Sequence, residues 1–205
     1  MFNLSKDEEK LFKKLSTPAK IQDWLCGISY NFEKGGETCR SPREVMKHNM
    51  AHCIEGAYLA AAVLWYHGEE PLLLDLRSTK HDLDHVVAVF KRNGCYGAIS
   101  KTNHAVLRYR EPIYRTIREL ALSYFHEYFL NDGTKTMRDY SKPFSLKKYG
   151  QLWITDTEDL WEIGADLDDS PHYALLPKNM STKSLRKADM VEIEAGKLVE
   201  YKSSV

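Results

Sequence analysis

Asn49-Met-Ala-His-Cys-Ile-Glu-Gly-Ala-Tyr-Leu-Ala-Ala-Ala-Val-Leu-Trp-Tyr-His-Gly68 is the stretch that decides how this chain of 205 residues is read. It passes from a loop to a thiol, then to an apolar run, then to a glycine. Cys53 falls where the loop becomes the helix, and Ala57, Ala60, Ala61 and Leu64 recur at helical spacing. Gly68 stands where a helix C-terminus favours a residue tolerant of positive φ. A cysteine in the first turn of such a helix feels the positive end of the macrodipole and nearby unpaired N–H groups, and both favour thiolate over thiol. A lone cysteine is ordinarily a buried, inert side chain. The functional reading therefore needs a base brought to Cys53 by the rest of the fold.

Working outward, Pro71-Leu-Leu-Leu-Asp-Leu-Arg77 is a short apolar run bounded by turn signals and reads as a buried strand. Residues 78–84 are polar and read as a loop. His85-Val-Val-Ala-Val-Phe-Lys-Arg92 is rich in β-branched residues, Asn93-Gly94 is a strong hairpin signal, and Cys95-Tyr-Gly-Ala-Ile-Ser100 is the return strand. Upstream, residues 5–16 suggest an amphipathic helix. Thr17-Pro18 and Ser41-Pro42 look like N-caps followed by Pro at the first helical position. The first opens a helix to about residue 30 that would bury Ile21, Trp24, Leu25 and Ile28; the second opens a short helix ending near His48. Downstream, Glu111-Pro112 predicts a helix over 111–130 with Ile113, Ile117, Leu120, Tyr124 and Phe125 on one face. Residues 145–163, with Leu146, Tyr149, Leu152, Trp153, Ile154, Leu160 and Trp161, are expected to pack on the core. Val191 to Tyr201 alternates around Ala195-Gly196 and predicts a terminal hairpin. The expected fold is α+β in a single domain spanning 1–205: N-terminal helices, the cysteine helix packed on an antiparallel sheet, and a C-terminal extension of mixed helix and irregular structure.

Hydrophobic residues make up 43% of the chain and charged residues 28%, which fits a globular protein and argues against disordered or fibrous classes. Lys+Arg and Asp+Glu both number 29, so zero net charge gives no general pull toward nucleic acid or an anionic membrane. No apolar run reaches spanning length, and the charged N-terminus lacks an apolar signal core. Cys26, Cys39, Cys53 and Cys95 are widely spaced without CxxC, which fits free thiols in a reducing compartment, by default the cytoplasm.

Nucleophilic cysteine chemistry needs a thiolate, a histidine in hydrogen-bond reach and a third group that fixes the imidazole. Cys53 begins a helix and His85 begins a strand, and helix-on-sheet packing can bring those ends together. If Asn93-Gly94 is a two-residue turn, Arg92 pairs with Cys95. Val87 then lies opposite Ser100, and His85 opposite Thr102. Ser100 falls diagonal to His85 on the same face, so register favours Ser100 or Thr102 as the third group. Asn103 would point to the other face, yet it is chemically the better orienter. Asp82 and Asp84 flank His85 within the loop.

The run Arg43-Glu-Val-Met, Cys53 heading an Ala-rich helix, Pro71-Leu-Leu-Leu-Asp-Leu-Arg77, Asp84-His85-Val and Asn93-Gly-Cys-Tyr-Gly-Ala-Ile-Ser100 resembles the transglutaminase-like core of the papain-like cysteine fold. The likeness covers residues 18–104. It implies Cys53 as nucleophile and His85 as base, with Tyr96 at the aromatic position typical of the family. The family's Asp falls on Ser100, a departure; a serine accepts a hydrogen bond from imidazole but offers no charge to an imidazolium. The implied chemistry is acyl transfer on a peptide or amide substrate, by hydrolysis or by transfer to an amine, without a cofactor. The Cys53 N–H would serve as one oxyanion donor, and Gln22 or Trp24 are candidates for a second. The alternative from a different class is a catalytically inactive version of the fold that binds a peptide or protein partner.

Three further features have weaker claims. His48, His52, Cys53, His81 and His85 include ligand types for zinc but lack a CxxC or HExxH spacing. Arg108, Arg110, Arg115 and Arg118 are candidates for a phosphate or carboxylate site; pairing with the acidic stretches Asp156 to Glu162 and Asp166 to Asp169 is the preferred reading. Asp166 to Asp169 does not match a calcium loop.

Overall fold

The computed structural model describes residues 2–199. The chain is α+β, with seven α-helices and a predominantly antiparallel sheet among the described residues. In chain order the elements are α1 (Lys6–Lys14), α2 (Pro18–Gly27), β1 (Ser29–Tyr30), α3 (Pro42–His48), β2 (Met50–Ala51), α4 (Cys53–Tyr66), β3 (Leu72–Arg77), β4 (His85–Arg92), β5 (Cys95–Ile99), β6 (Arg110–Tyr114), α5 (Ile117–Phe125), β7 (Asp139–Ser141), β8 (Phe144–Ser145), α6 (Trp161–Asp168), β9 (His172–Ala174) and α7 (Met190–Lys197).

Local chemistry sets the helix starts. Thr17 and Ser41 each accept a backbone N–H three residues on, with Pro at the first helical position. Ser5 and Glu8 form a reciprocal capping box at the head of α1. The helix α4 is buried without interruption from Glu55 to Leu64, as expected of a helix apolar on all sides. Gly68, at φ +89°, follows its end.

The main sheet runs β6-β5-β4-β3-β7-β9, with β8 pairing the other end of the β3 edge that holds β7, and all its pairings are antiparallel. Asn93 and Gly94 both take positive φ, as a type I′ turn requires, so Arg92 pairs with Cys95 and the ladder holds to Ala88 opposite Ile99. The sheet is covered on both faces. Leu73, Val86, Ala88, Phe90 and Ile99 pack with α1, α2 and α4, while Leu74, Leu76, Val87, Val89 and Ala98 pack with Leu120, Ala121 and Tyr124 of α5. This double burial explains why β4 reads as a continuous apolar run and not as an alternation.

Three expectations are corrected. Glu111-Pro112 lies inside β6 on the sheet edge, where a residue without an N–H is tolerated; the helix begins at Ile117 behind the Thr116 cap, and Ile113 is exposed. Residues 190–197 form α7 and not a hairpin, because Asp189 accepts the N–H groups of Val191 and Glu192 and Glu192 answers in a capping box. The expected strand's last residues, 200 and 201, lie outside the described residues. Leu146, Trp153, Ile154 and Leu160 are buried as expected, but Leu152 and Trp161 are exposed, and Trp24 is only half-buried. The segment beyond residue 104 is woven into the sheet, supplying β6 on one edge and β7, β8 and β9 on the other.

The end of β5 is tied to two helices at once. Lys101 is buried, and its ammonium donates to the carbonyls of Leu25 and Ile28, each at 2.8 Å, at the C-terminus of α2. Its stem lies against Gly56 of α4, where a Cβ would come within 2.4 Å of the Lys101 Cβ. Gly56→Ala, ordinarily stabilising in a helix interior, should here destabilise the protein by about 1–3 kcal/mol through overpacking. A lowered urea midpoint with unchanged slope is the expected measurement; an unchanged or raised midpoint would show that the α4–Lys101 contact can relax.

Candidate active site

His52 is the N-cap of α4 and Cys53 its first residue. The short parallel pairing of β1 with β2 holds this turn from below: Ser29 pairs with Met50 and Tyr30 with Ala51. The His52 N–H donates to the Glu55 carboxylate at 2.9 Å, closing the turn. Cys53 therefore opens onto a cleft of about 590 Å³ whose walls include Tyr30, His52, His85, Thr102, Leu107 and Tyr128.

His85, the first residue of β4, pairs with Leu76 of β3 and is buried. Its Nε2 lies 2.7 Å from the Ser100 hydroxyl. That hydroxyl also donates to the Leu107 carbonyl at 2.6 Å. A hydroxyl has one proton, and a carbonyl can only accept, so the imidazole must be the donor to Ser100. The His85 Nε2 thus carries hydrogen, and Nδ1 is the nitrogen left for the thiol. Ser100 is itself held at both backbone groups by one side chain: its N–H donates to Gln22 Oε1 at 2.9 Å, and Gln22 Nε2 donates to its carbonyl at 2.8 Å.

Cys53, His52 and His85 line the same cleft, and the His52 ring stands against the sulfur. Burial pushes the thiol up, but hydrogen bonds from His52 and His85 and the charges of both rings outweigh it and bring the pKa down to about 5. The His52 ring is 4.0 Å from the sulfur through Nδ1, and its Nε2 donates to the Thr38 carbonyl at 2.9 Å. Burial pulls its pKa down, yet the thiolate beside it and Glu55 raise it to about 9. Tyr30, beside the same thiol, is held well above its usual range by burial and by the negative charge of Cys53.

Each expected residue has a definite place. Ser100, diagonal to His85 by hairpin register, bonds the ring. Thr102 lines the cleft but lies beyond the end of the β4–β5 ladder, and its hydroxyl accepts the His104 N–H. Asn103 is buried, and among the described residues no hydrogen bond joins it to the imidazole. Asp82 accepts the Thr136 hydroxyl and Asp84 accepts the Ser78 N–H, so both carboxylates fold the loop beside the cleft. Gln22 is committed to Ser100, and neither Gln22 nor Trp24 is among the residues that line the cleft. The Cys53 N–H, in the first turn, belongs to the groups a helix leaves without an intrahelical partner.

The arginines pair elsewhere than expected. Arg110 bonds Glu127 at 2.6 Å and lies over the Tyr124 ring, Arg118 donates to the carbonyls of Ala174 and Leu175, and Arg108 donates to the His104 carbonyl. The acidic stretch meets Lys148 through Asp166 and the Cys39 N–H through Asp159. Among the described residues no group of three or more His, Cys, Asp or Glu side chains is arranged to hold a metal ion. Sequence reading missed the electrostatic part of His52. The available signal was the His52-x-x-Glu55 spacing, a capping arrangement at the turn that carries Cys53.

No protein-family model matches the chain and no curated protein matches it significantly, so the arrangement of Cys53, His85, Ser100 and His52 is what speaks for its chemistry.

Proposed function

We propose that this protein is a cysteine-dependent acyl-transfer enzyme of the transglutaminase-like, papain-like type, acting on an amide or peptide carbonyl. One observation carries the reading: the His85 ring is held by Ser100 at Nε2, which leaves Nδ1 for the thiol at the start of α4. The four free cysteines fit a reducing compartment such as the cytoplasm.

In the proposed reaction the Cys53 thiolate attacks the carbonyl carbon, forming a C–S bond. The carbonyl oxygen takes up the negative charge and faces the Cys53 N–H at the positive end of α4. His85, protonated at Nδ1, gives that proton to the departing amine as the C–N bond breaks. The resulting thioester is opened by water or by a second amine, whose proton His85 Nδ1 accepts. Through each exchange Nε2–H stays bonded to Ser100, whose own hydroxyl goes on donating to the Leu107 carbonyl. The serine orients the ring and contributes a dipole, not a charge. A non-catalytic module that binds a peptide or protein partner is the competing reading, and Ser100 at the acid's position is the observation that favours it.

Iodoacetamide distinguishes these readings. Cys53 should alkylate far faster than the other cysteines at pH 7; Cys39, buried and pushed up to about 12, should stay unreactive. Because the Cys53 pKa is depressed, its rate should rise through about pH 5 and level off above it. Alkylation of all four thiols at similar rates would sink the enzyme reading. With an activated ester as acyl donor, Cys53→Ser should abolish turnover while leaving the thermal midpoint within a few degrees. Ser100→Ala should lower turnover by about 10²-fold through misorientation of the general acid–base, and keep the rapid alkylation. Full turnover in Ser100→Ala would mean that Ser100 does not orient the base.

A further inference from the structure

The acid missing beside His85 has a counterpart on the other side of the sulfur. Glu55, one turn into α4, is fully buried and receives donors from every direction: the amide of Asn31, the hydroxyl of Thr38 at 2.7 Å, the N–H of Arg40 at 3.1 Å and the N–H of His52 at 2.9 Å. Each of these four groups donates to the carboxylate, and the Thr38 hydroxyl in turn accepts from the Asn31 amide. Its Oε1 is 3.5 Å from His52 Nε2, and Glu33 Oε1 is 3.6 Å from the same nitrogen. The His52 ring therefore has two carboxylates and the Thr38 carbonyl at Nε2, and the Cys53 sulfur at Nδ1. Other titratable groups near this ring and thiol are Tyr30 on β1, Cys39, His85 on β4 and Tyr128 after α5, and Asp82, Asp84, His104, Glu127 and Lys197 line the same cleft.

We infer that His52, held as an imidazolium by Glu55 and Glu33, is the positioning residue that keeps Cys53 as a thiolate, leaving His85 as the proton carrier of the acyl transfer. The inference rests on the enzyme reading of the site and divides its labour. In a two-part ion pair of base and thiol, one imidazolium both stabilises sulfur and delivers the proton, and a carboxylate behind that ring supports its charge. Here the ring with carboxylates behind it is His52, and the ring with a neutral hydroxyl behind it is His85. With the thiolate's lasting counter-charge on His52, the charge on His85 is needed only until its Nδ1 proton passes to the departing amine, which suits a serine partner. The departure at Ser100 is then compatible with catalysis, because the charge it would have supported sits elsewhere.

The test compares His52→Gln with His85→Gln, reading the pH dependence of Cys53 alkylation in the intact chain. His52→Gln should move the half-point from about 5 toward the ordinary thiol value of about 8.5. At pH 6.5 that corresponds to a roughly 100-fold loss of rate, recovered at pH 9. A lost contact of purely structural importance would not be recovered by raising pH. His85→Gln should move the half-point less and abolish ester turnover. The reverse outcome, with His85→Gln causing the large shift and His52→Gln causing none, overturns this division while leaving the Cys53–His85 enzyme reading in place. An ordinary thiol half-point in the unsubstituted protein defeats both. Should His52→Gln fail to fold, histidine ring NMR of the unsubstituted chain decides: an imidazolium at His52 that persists at pH 7 and titrates near pH 9 supports the inference, and a neutral ring at pH 7 overturns it.

Discussion

The buried ammonium of Lys101 is the tie on which the site depends. By bonding the carbonyls of Leu25 and Ile28 it satisfies the end of α2, and it fixes the chain just after β5 against the first turn of α4, where Gly56 leaves room for its stem. The preceding residue is Ser100, and Gln22 of the same helix clamps both of its backbone groups. The hydroxyl that orients His85 is therefore held by α2, not by the sheet, whose β4–β5 ladder has already ended. A buried, paired lysine is expensive unless its donors are used, and here two carbonyls in need of partners use them.

Electrostatics around the sulfur depend on the two rings that share its cleft and on what stands behind each. Carboxylates of Glu55 and Glu33 stand behind His52, His52 stands beside Cys53, and His85 stands on the far side with a serine behind it. The negative charge of a thiolate in a partly enclosed cleft needs a positive neighbour, and a positive neighbour in the same place needs a carboxylate. The helix start adds its own partial positive charge to the same point. The cost of burying Glu55 is offset by four donor residues drawn from the loop after β1 and from the turn at the head of α4.

The sheet gives this cluster a rigid floor. Both faces are covered, by α4 on one side and α5 on the other, so β4 cannot slip by one residue without moving an entire apolar set to the wrong layer. That fixes where His85 begins the strand. The segment after residue 104 contributes more than an appendage, since β6 and the β7–β9 group close the two sides of the sheet and residues such as Leu107 and Tyr128 complete the cleft.

Much of the core was legible along the chain because its signals are local. Helical spacing placed α4, the Thr17-Pro18 and Ser41-Pro42 caps placed two helix starts, and Asn93-Gly94 set the hairpin register that puts Ser100 diagonal to His85. Local signals failed where two were in competition: Pro112 suits an edge strand as well as a helix start, and Ala195-Gly196 resembles a turn until the Asp189 cap is counted. The sequence around Cys53 by itself determined that this thiol sits in the first turn of a buried helix. Only the tertiary structure decided which groups gather around it, because Gln22 meets Ser100, Ser100 meets His85 and Glu33 meets His52 through packing between segments apart in sequence, and hydrogen bonds across such distances leave no periodic trace in the chain.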